Sequence, residues 1–191
     1  MLLSYLRGGG QLDVKKFDFK LGRSKKATKS IHRIWTLHAY VREFLFLNGQ
    51  PMKAVDAYVK IYGMSKQTIH IVDDYISPKT LHLLQGAKDG VSVTVISDNR
   101  GNYLKSSDCA DFKAEFPNVS LTFIQSKGVS HDRFIVLDYG TNDERAFHCG
   151  ASSKDAGNRA TAITEFLDGH IKSAIDSLLG TMLENPVLTL N

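Results

Sequence analysis

The chain has 191 residues, 42% of them hydrophobic and 23% charged, a balance that builds one compact domain with an extension and excludes wholesale disorder. Its formal net charge is +4, and no apolar run approaches the roughly 18 to 20 residues that a membrane-spanning helix needs. Two cysteines, Cys109 and Cys149, have neither a near Cys partner nor zinc-ligand spacing, which argues against a disulfide scaffold or a structural zinc.

The opening MLLSYLRGGG lacks the length and cleavage pattern of a secretory signal, so a cytoplasmic, reducing setting is the simplest expectation. Gly8, Gly9 and Gly10 make a flexible break. Between Arg7 and Arg33 follow Lys15, Lys16, Lys20, Arg23, Lys25, Lys26 and Lys29, opposed only by Asp13 and Asp18. This stretch is either a solvated basic face or a patch that attracts nucleic-acid phosphates, with Lys15, Lys16, Lys25, Lys26 and Lys29 as candidate contacts. Phe17 and Phe19 alone are too few aromatics for a base-stacking platform.

From Ser30, an N-cap, the apolar positions Ile31, Ile34, Trp35, His38, Val41 and Leu45 recur at helical spacing until Asn48-Gly49. Pro51 starts a second helix through Met52, Val55, Tyr58, Val59 and Tyr62, which Gly63 closes. The two are expected to form a helical hairpin, so that residues 1–65 are an extension and residues 66–191 the main domain.

Beyond Thr68 short apolar strands alternate with helical stretches, the pattern of an α/β domain. Strands are expected at Thr68 to Val72, Val91 to Ile96, Val119 to Ile124, Phe134 to Leu137 and Arg145 to Cys149. Helices fit at Pro78 to Gln85, after a Ser77 cap, and at Ser107 to Phe116; a last one, from about Ile163 to Leu183, would pack through Phe166, Leu167, Ile171, Ile175 and Leu178. Asp73-Asp74-Tyr75 and Ser97-Asp98-Asn99 fall just past strand ends, where open α/β sheets place ligands; helix capping is the preferred role for Asp98 and Asn99.

The chemistry-bearing stretch begins at Ser130. On a strand, alternate residues share a face, so His131 and Arg133 present an imidazole and a guanidinium together. The turn Cys149-Gly150-Ala151-Ser152-Ser153-Lys154 offers backbone N–H groups, hydroxyls and a cation of the kind that meets a phosphate. Glu165 is a carboxylate that can fix the tautomer of an imidazole.

With HDRFIVLD followed by ASSK, the chain resembles a single-motif member of the phospholipase D superfamily. His131, Arg133 and Asp138 fall on the family's histidine, lysine and aspartate, Ser152 and Lys154 on its serine and asparagine, and Glu165 on its later glutamate. Arginine thus replaces the motif lysine, and lysine the asparagine. The resemblance covers about Lys66 to the C-terminus and implies a mixed β-sheet flanked by helices, here preceded by a helical N-terminal extension.

It further implies a phosphodiesterase of the nuclease kind that needs neither metal nor other cofactor. His131 would be the nucleophile of a phosphohistidine intermediate, Arg133 and Lys154 would neutralise the phosphate, Ser152 would donate a hydrogen bond and Glu165 would orient His131. Asp138, of opposite strand parity, is expected to be structural. One motif supplies one histidine where the mechanism uses two, so a homodimer with two facing motifs is expected. His148, His70, His82 and His170 are read as ordinary strand or helix histidines. The competing reading is a non-catalytic module of the same fold that binds nucleic acid or regulates. Asp73 and Asp74, two carboxylates at one strand end, are the pair with which a magnesium site would compete against this scheme.

Overall fold

The protein is represented by a computed structural model that describes residues 43–191. The helix expected from Ser30 and the basic residues Lys15, Lys16, Lys25, Lys26 and Lys29 fall mostly or wholly outside them.

Strand β1 is Glu43–Phe46, followed by helix α1, Pro51–Tyr62, strand β2, Thr68–Val72, and helix α2, Pro78–Leu83, which runs into a 3-10 turn at Leu84–Gly86. Strand β3 is Ser92–Ile96, helix α3 Ser106–Glu115 and strand β4 Ser120–Ile124. Strands β5, Arg133–Leu137, β6, Arg145–Cys149, and β7, Thr161–Glu165, precede helix α4, Gly169–Leu183. The seven strands make one sheet in the order β1-β7-β6-β5-β2-β3-β4. Within it β2, β3 and β4 are parallel and the remaining pairings antiparallel. This is the mixed α/β sheet expected from the alternating pattern, because parallel neighbours need the crossover helices α2 and α3 while antiparallel ones need only short turns.

Each face of the sheet is covered. Helix α1 buries Ala54, Ala57, Tyr58, Ile61 and Tyr62, a stripe spaced three and four apart, in a cluster with Ile69, Ile71, Val93, Ile135, Phe147 and Ile163. Helix α4 closes the opposite face through Ile175, Leu179 and Met182, which meet Val72, Ile96, Val136 and Ala146. Alternate residues of β5 and β6 accordingly divide between the two cores.

Three expectations are corrected. Glu43–Phe46 is a strand paired antiparallel with β7, not the end of a helix running to Leu45: Phe44 and Phe46 alternate with exposed Glu43 and Leu45, a two-residue period that suits a sheet edge. Helix α1 exists where expected but belongs to the main core rather than to a hairpin ahead of it. The last helix begins at Gly169, not Ile163, because Thr161–Glu165 is a strand between β1 and β6 and Asp168 then caps the helix, accepting from the N–H groups of His170 and Ile171. Leu167 and Ile171 consequently stay exposed.

Candidate active site

Parallel strands β2 and β3 end side by side, and the chain past each end forms one wall of a cleft. The antiparallel register that pairs Val72 with Phe134 brings the start of β5 against the end of β2. The result is a cleft of about 170 Å³ lined by Val72, Asp74, Tyr75, Arg100, Ser130, His131, Asp132 and Arg133. His131 lies in the bend just before β5 rather than on it, with its side chain exposed. Among the described residues it has no hydrogen-bond, ion-pair or ring partner, so its imidazole is available to a ligand.

Arg133 is anchored below the cleft. Its Nε stands 3.5 Å from Oδ1 of buried Asp73 and its guanidinium 5.8 Å from the centre of the Tyr75 ring. Nε is buried without a hydrogen bond, so the contact with Asp73 is an ion pair only. Asp73 is the hub of this end of the sheet: its Oδ2 accepts from the Ser152 hydroxyl at 2.9 Å, the Ser153 N–H at 2.9 Å and the Ser153 hydroxyl at 3.1 Å, and Oδ1 from the Tyr75 N–H at 3.0 Å. A buried carboxylate is tolerable only with such donors.

Ser152 is therefore spent on the fold, since its buried hydroxyl also contacts the Tyr75 carbonyl at 2.9 Å. Lys154 reaches the same end of the molecule but is not on the cleft wall. Its Nζ is 2.6 Å from Oδ2 of Asp155 and 5.3 Å from the centre of the Tyr103 ring.

Glu165 is elsewhere. It sits on β7 opposite Phe147, which in turn faces Ile135, four residues along from His131. That is roughly 13 Å along the strands and on the order of 10 Å across two strand spacings. Its carboxylate grips Arg145, with Nε–Oε1 and Nη2–Oε2 both 2.8 Å. Glu165 thus orients Arg145, and the expectation that it orients His131 is not met by this geometry, because Glu165 is level with Ile135, four residues along the chain from His131.

Asp138 ends β5 with φ 51° and is buried. It accepts from the N–H groups of Lys66, Gln67 and Thr68 and from the Ser65 hydroxyl, fastening the start of β2. Burial alone would raise its pKa, but these donors outweigh it and hold the carboxyl below the usual value. His148 packs between Phe134 and Phe166 on the opposite face, its Nε2 3.8 Å from exposed Asp132. Burial pushes the Cys149 thiol up to about 12, which makes it a packing residue rather than a nucleophile.

Asp73 and Asp74 are each taken up by protein partners. Asp74 is engaged by Arg100, with Nε 3.2 Å from Oδ2, by the Ser126 hydroxyl and by the Asp98 N–H. Among the described residues no group of three or more His, Cys, Asp or Glu side chains is arranged to hold a metal. Asp98 caps no helix: it ties the β3 end to the loop after β4 through the N–H groups of Lys127 and Gly128. Asn99 instead braces its own loop, exchanging hydrogen bonds with the Leu104 backbone. Arg100 is the cleft residue that sequence reasoning missed; its signal was position, directly after the Ser97-Asp98-Asn99 strand end.

No protein-family model and no curated protein matches the chain by sequence. Among solved structures it is similar to NucT from Helicobacter pylori, with a TM-score of 0.54 at 16% identity over 77% of this chain and 98% of that one. It is also similar to Nuc from Salmonella typhimurium, a phospholipase D family member, with a TM-score of 0.49 at 14% identity over 76% of this chain and 98% of that one. The fold is phospholipase D-like.

Proposed function

We propose that this chain, built on a phospholipase D-like fold, is a phosphodiesterase acting on nucleic acid, with His131 as its nucleophile and a second copy of the chain completing the site. The observation that carries this reading is the placement of a partner-free imidazole and the Arg133 guanidinium in one polar cleft at the end of β2. Nitrogen of His131 attacks phosphorus, and the bond to the leaving oxygen breaks. The His131 of the second copy donates the proton that oxygen needs, then takes one from the water that hydrolyses the phosphohistidine.

Arg133 meets the charge of the non-bridging oxygens. Asp73 positions it from below, while Ser152 and Ser153 hold Asp73. The scheme routes no step through a metal ion. Lys15, Lys16, Lys25, Lys26 and Lys29 supply salt-dependent contacts to the flanking backbone of the polymer. Hydrolysis of bis-p-nitrophenyl phosphate and of plasmid DNA in excess EDTA, present in wild type and absent in His131→Ala, is the test. No hydrolysis by either protein would remove the enzymatic reading.

A second reading, a non-catalytic phosphate-binding module, is favoured by one feature: with Glu165 committed to Arg145, His131 has no carboxylate to fix its tautomer among the described residues. Salt-dependent nucleic-acid binding without turnover would identify it.

A further inference from the structure

We infer that Arg100 is the second phosphate-binding cation of the cleft, contributed by the same protomer as His131 and Arg133, in the role that the sequence pattern gives to Lys154. The inference deepens the phosphodiesterase reading and rests on it for the identity of the ligand as a phosphoryl group.

Arg100 follows the end of β3 and lines the cleft together with His131 and Arg133. Asp74 holds it at two points. Its N–H donates to the Asp74 carbonyl at 2.7 Å and its Nε lies 3.2 Å from Asp74 Oδ2. The guanidinium lies beside the Gly128 backbone, where an added Cβ would meet Arg100 Nη2 at an ordinary contact distance of 3.4 Å. The loop beneath is fixed by Asn99, whose buried side chain both donates to and accepts from the Leu104 backbone. A guanidinium held through one edge keeps its other N–H groups for a ligand, which is how arginine binds phosphate with two parallel donors.

The two arginines are built alike. Consecutive carboxylates at the end of β2, Asp73 and Asp74, each hold one guanidinium by its Nε edge, and the imidazole of His131 shares the cleft with both. Lys154, by contrast, has its ammonium committed to Asp155 and the Tyr103 ring and lines no part of that cleft. The cleft, about 170 Å³ in volume, has Val72 and Tyr75 as its apolar walls among the described residues and is otherwise lined by polar and charged side chains, a lining that suits the oxygens of a phosphoryl group.

The experiment uses inorganic phosphate as probe and has two arms. In wild-type protein, saturating phosphate is expected to protect Arg100 and Arg133 from phenylglyoxal, read by peptide mass spectrometry, while exposed Arg159 reacts unchanged. Because this arm needs no substitution, folding of a variant does not enter it. In the second arm, Arg100→Gln is expected to weaken phosphate binding about tenfold or more, the loss of a charge-assisted contact, and to lower kcat/KM on bis-p-nitrophenyl phosphate by a similar factor. Unprotected Arg100, or a phosphate affinity that falls in Lys154→Gln and not in Arg100→Gln, overturns the assignment. Protection of Arg100 in a protein that hydrolyses no diester sinks the catalytic reading and leaves this one standing.

Discussion

Glu165 holds Arg145 across the β6–β7 pair through two parallel hydrogen bonds of 2.8 Å each, with both side chains largely buried. Neutralising Glu165 takes a two-point ion pair from a largely buried guanidinium, so Glu165→Gln is expected to lower stability by about 3 kcal/mol. Because Glu165 is level with Ile135 rather than His131, turnover of a small diester should change less than about threefold, well under the 1.4 kcal/mol that a tenfold effect represents. Urea unfolding and initial rates on the same sample check both; a stable, inactive variant would restore Glu165 to the site.

His131 contributes nothing to either core, so His131→Ala should leave stability within about 0.5 kcal/mol of wild type. Hydrolysis should fall by about three orders of magnitude, the scale of a lost positioned proton-transfer or nucleophilic group. The pair of measurements is thermal unfolding and single-turnover hydrolysis. Comparable loss in His148→Ala, with His131→Ala active, would move the nucleophile to the other face of the sheet.

Asp73 joins the β6–β7 turn to Arg133, and its loss removes the shared acceptor of two hydroxyls and two N–H groups together with the counter-charge of a guanidinium. Asp73→Ala is expected to cost about 3 to 5 kcal/mol. Ser152→Ala removes one donor of four and should cost about 1 kcal/mol, with kcat/KM falling only as far as Arg133 shifts. A Ser152→Ala variant of wild-type stability with no activity would instead put the hydroxyl on the substrate.

Asp138 gives the acid limb of stability. Its folded pKa lies below the ordinary carboxylate value, so the unfolded chain takes up its proton first as pH falls. The stabilisation is therefore complete above the unfolded pKa, near 3.8, and is lost as pH drops through the folded one. Asp138→Asn should be destabilised by about 1 to 3 kcal/mol at pH 7, with the gap to wild type closing in strong acid. A gap that stays constant with pH would mean that packing, not charge, sets the cost.

The two-fold site predicts a homodimer, seen as a doubled mass by sedimentation at tens of micromolar, and a loss of activity steeper than the fraction of His131→Ala protein co-refolded with wild type, because each shared site needs both His131 side chains. A strictly monomeric protein with full turnover rules out a shared site. Lys25→Glu with Lys26→Glu should weaken nucleic-acid binding at low salt more than it lowers turnover of a small diester.

Local pattern was enough to read the elements whose signals are short-range. Pro51 opens α1, the alternation of Thr68–Val72 and Arg145–Cys149 gives β2 and β6 with their observed bounds, and the spacing in HDRFIVLD was legible without coordinates. It failed at Glu43–Phe46 and Thr161–Glu165, which pair with each other as strands, because that pairing joins segments more than a hundred residues apart and no short-range signal registers it. The same limit governs the site. Residue type proposed His131 and Arg133, but which cation faces them is a matter of loop path. Only the packing of the β3 end against β2 and the loop after β4 puts Arg100 at the cleft, turns Ser152 inward to Asp73 and sets Glu165 on Arg145, since a charged side chain takes its partner from whatever the fold brings within a few ångströms and not from its spacing along the chain.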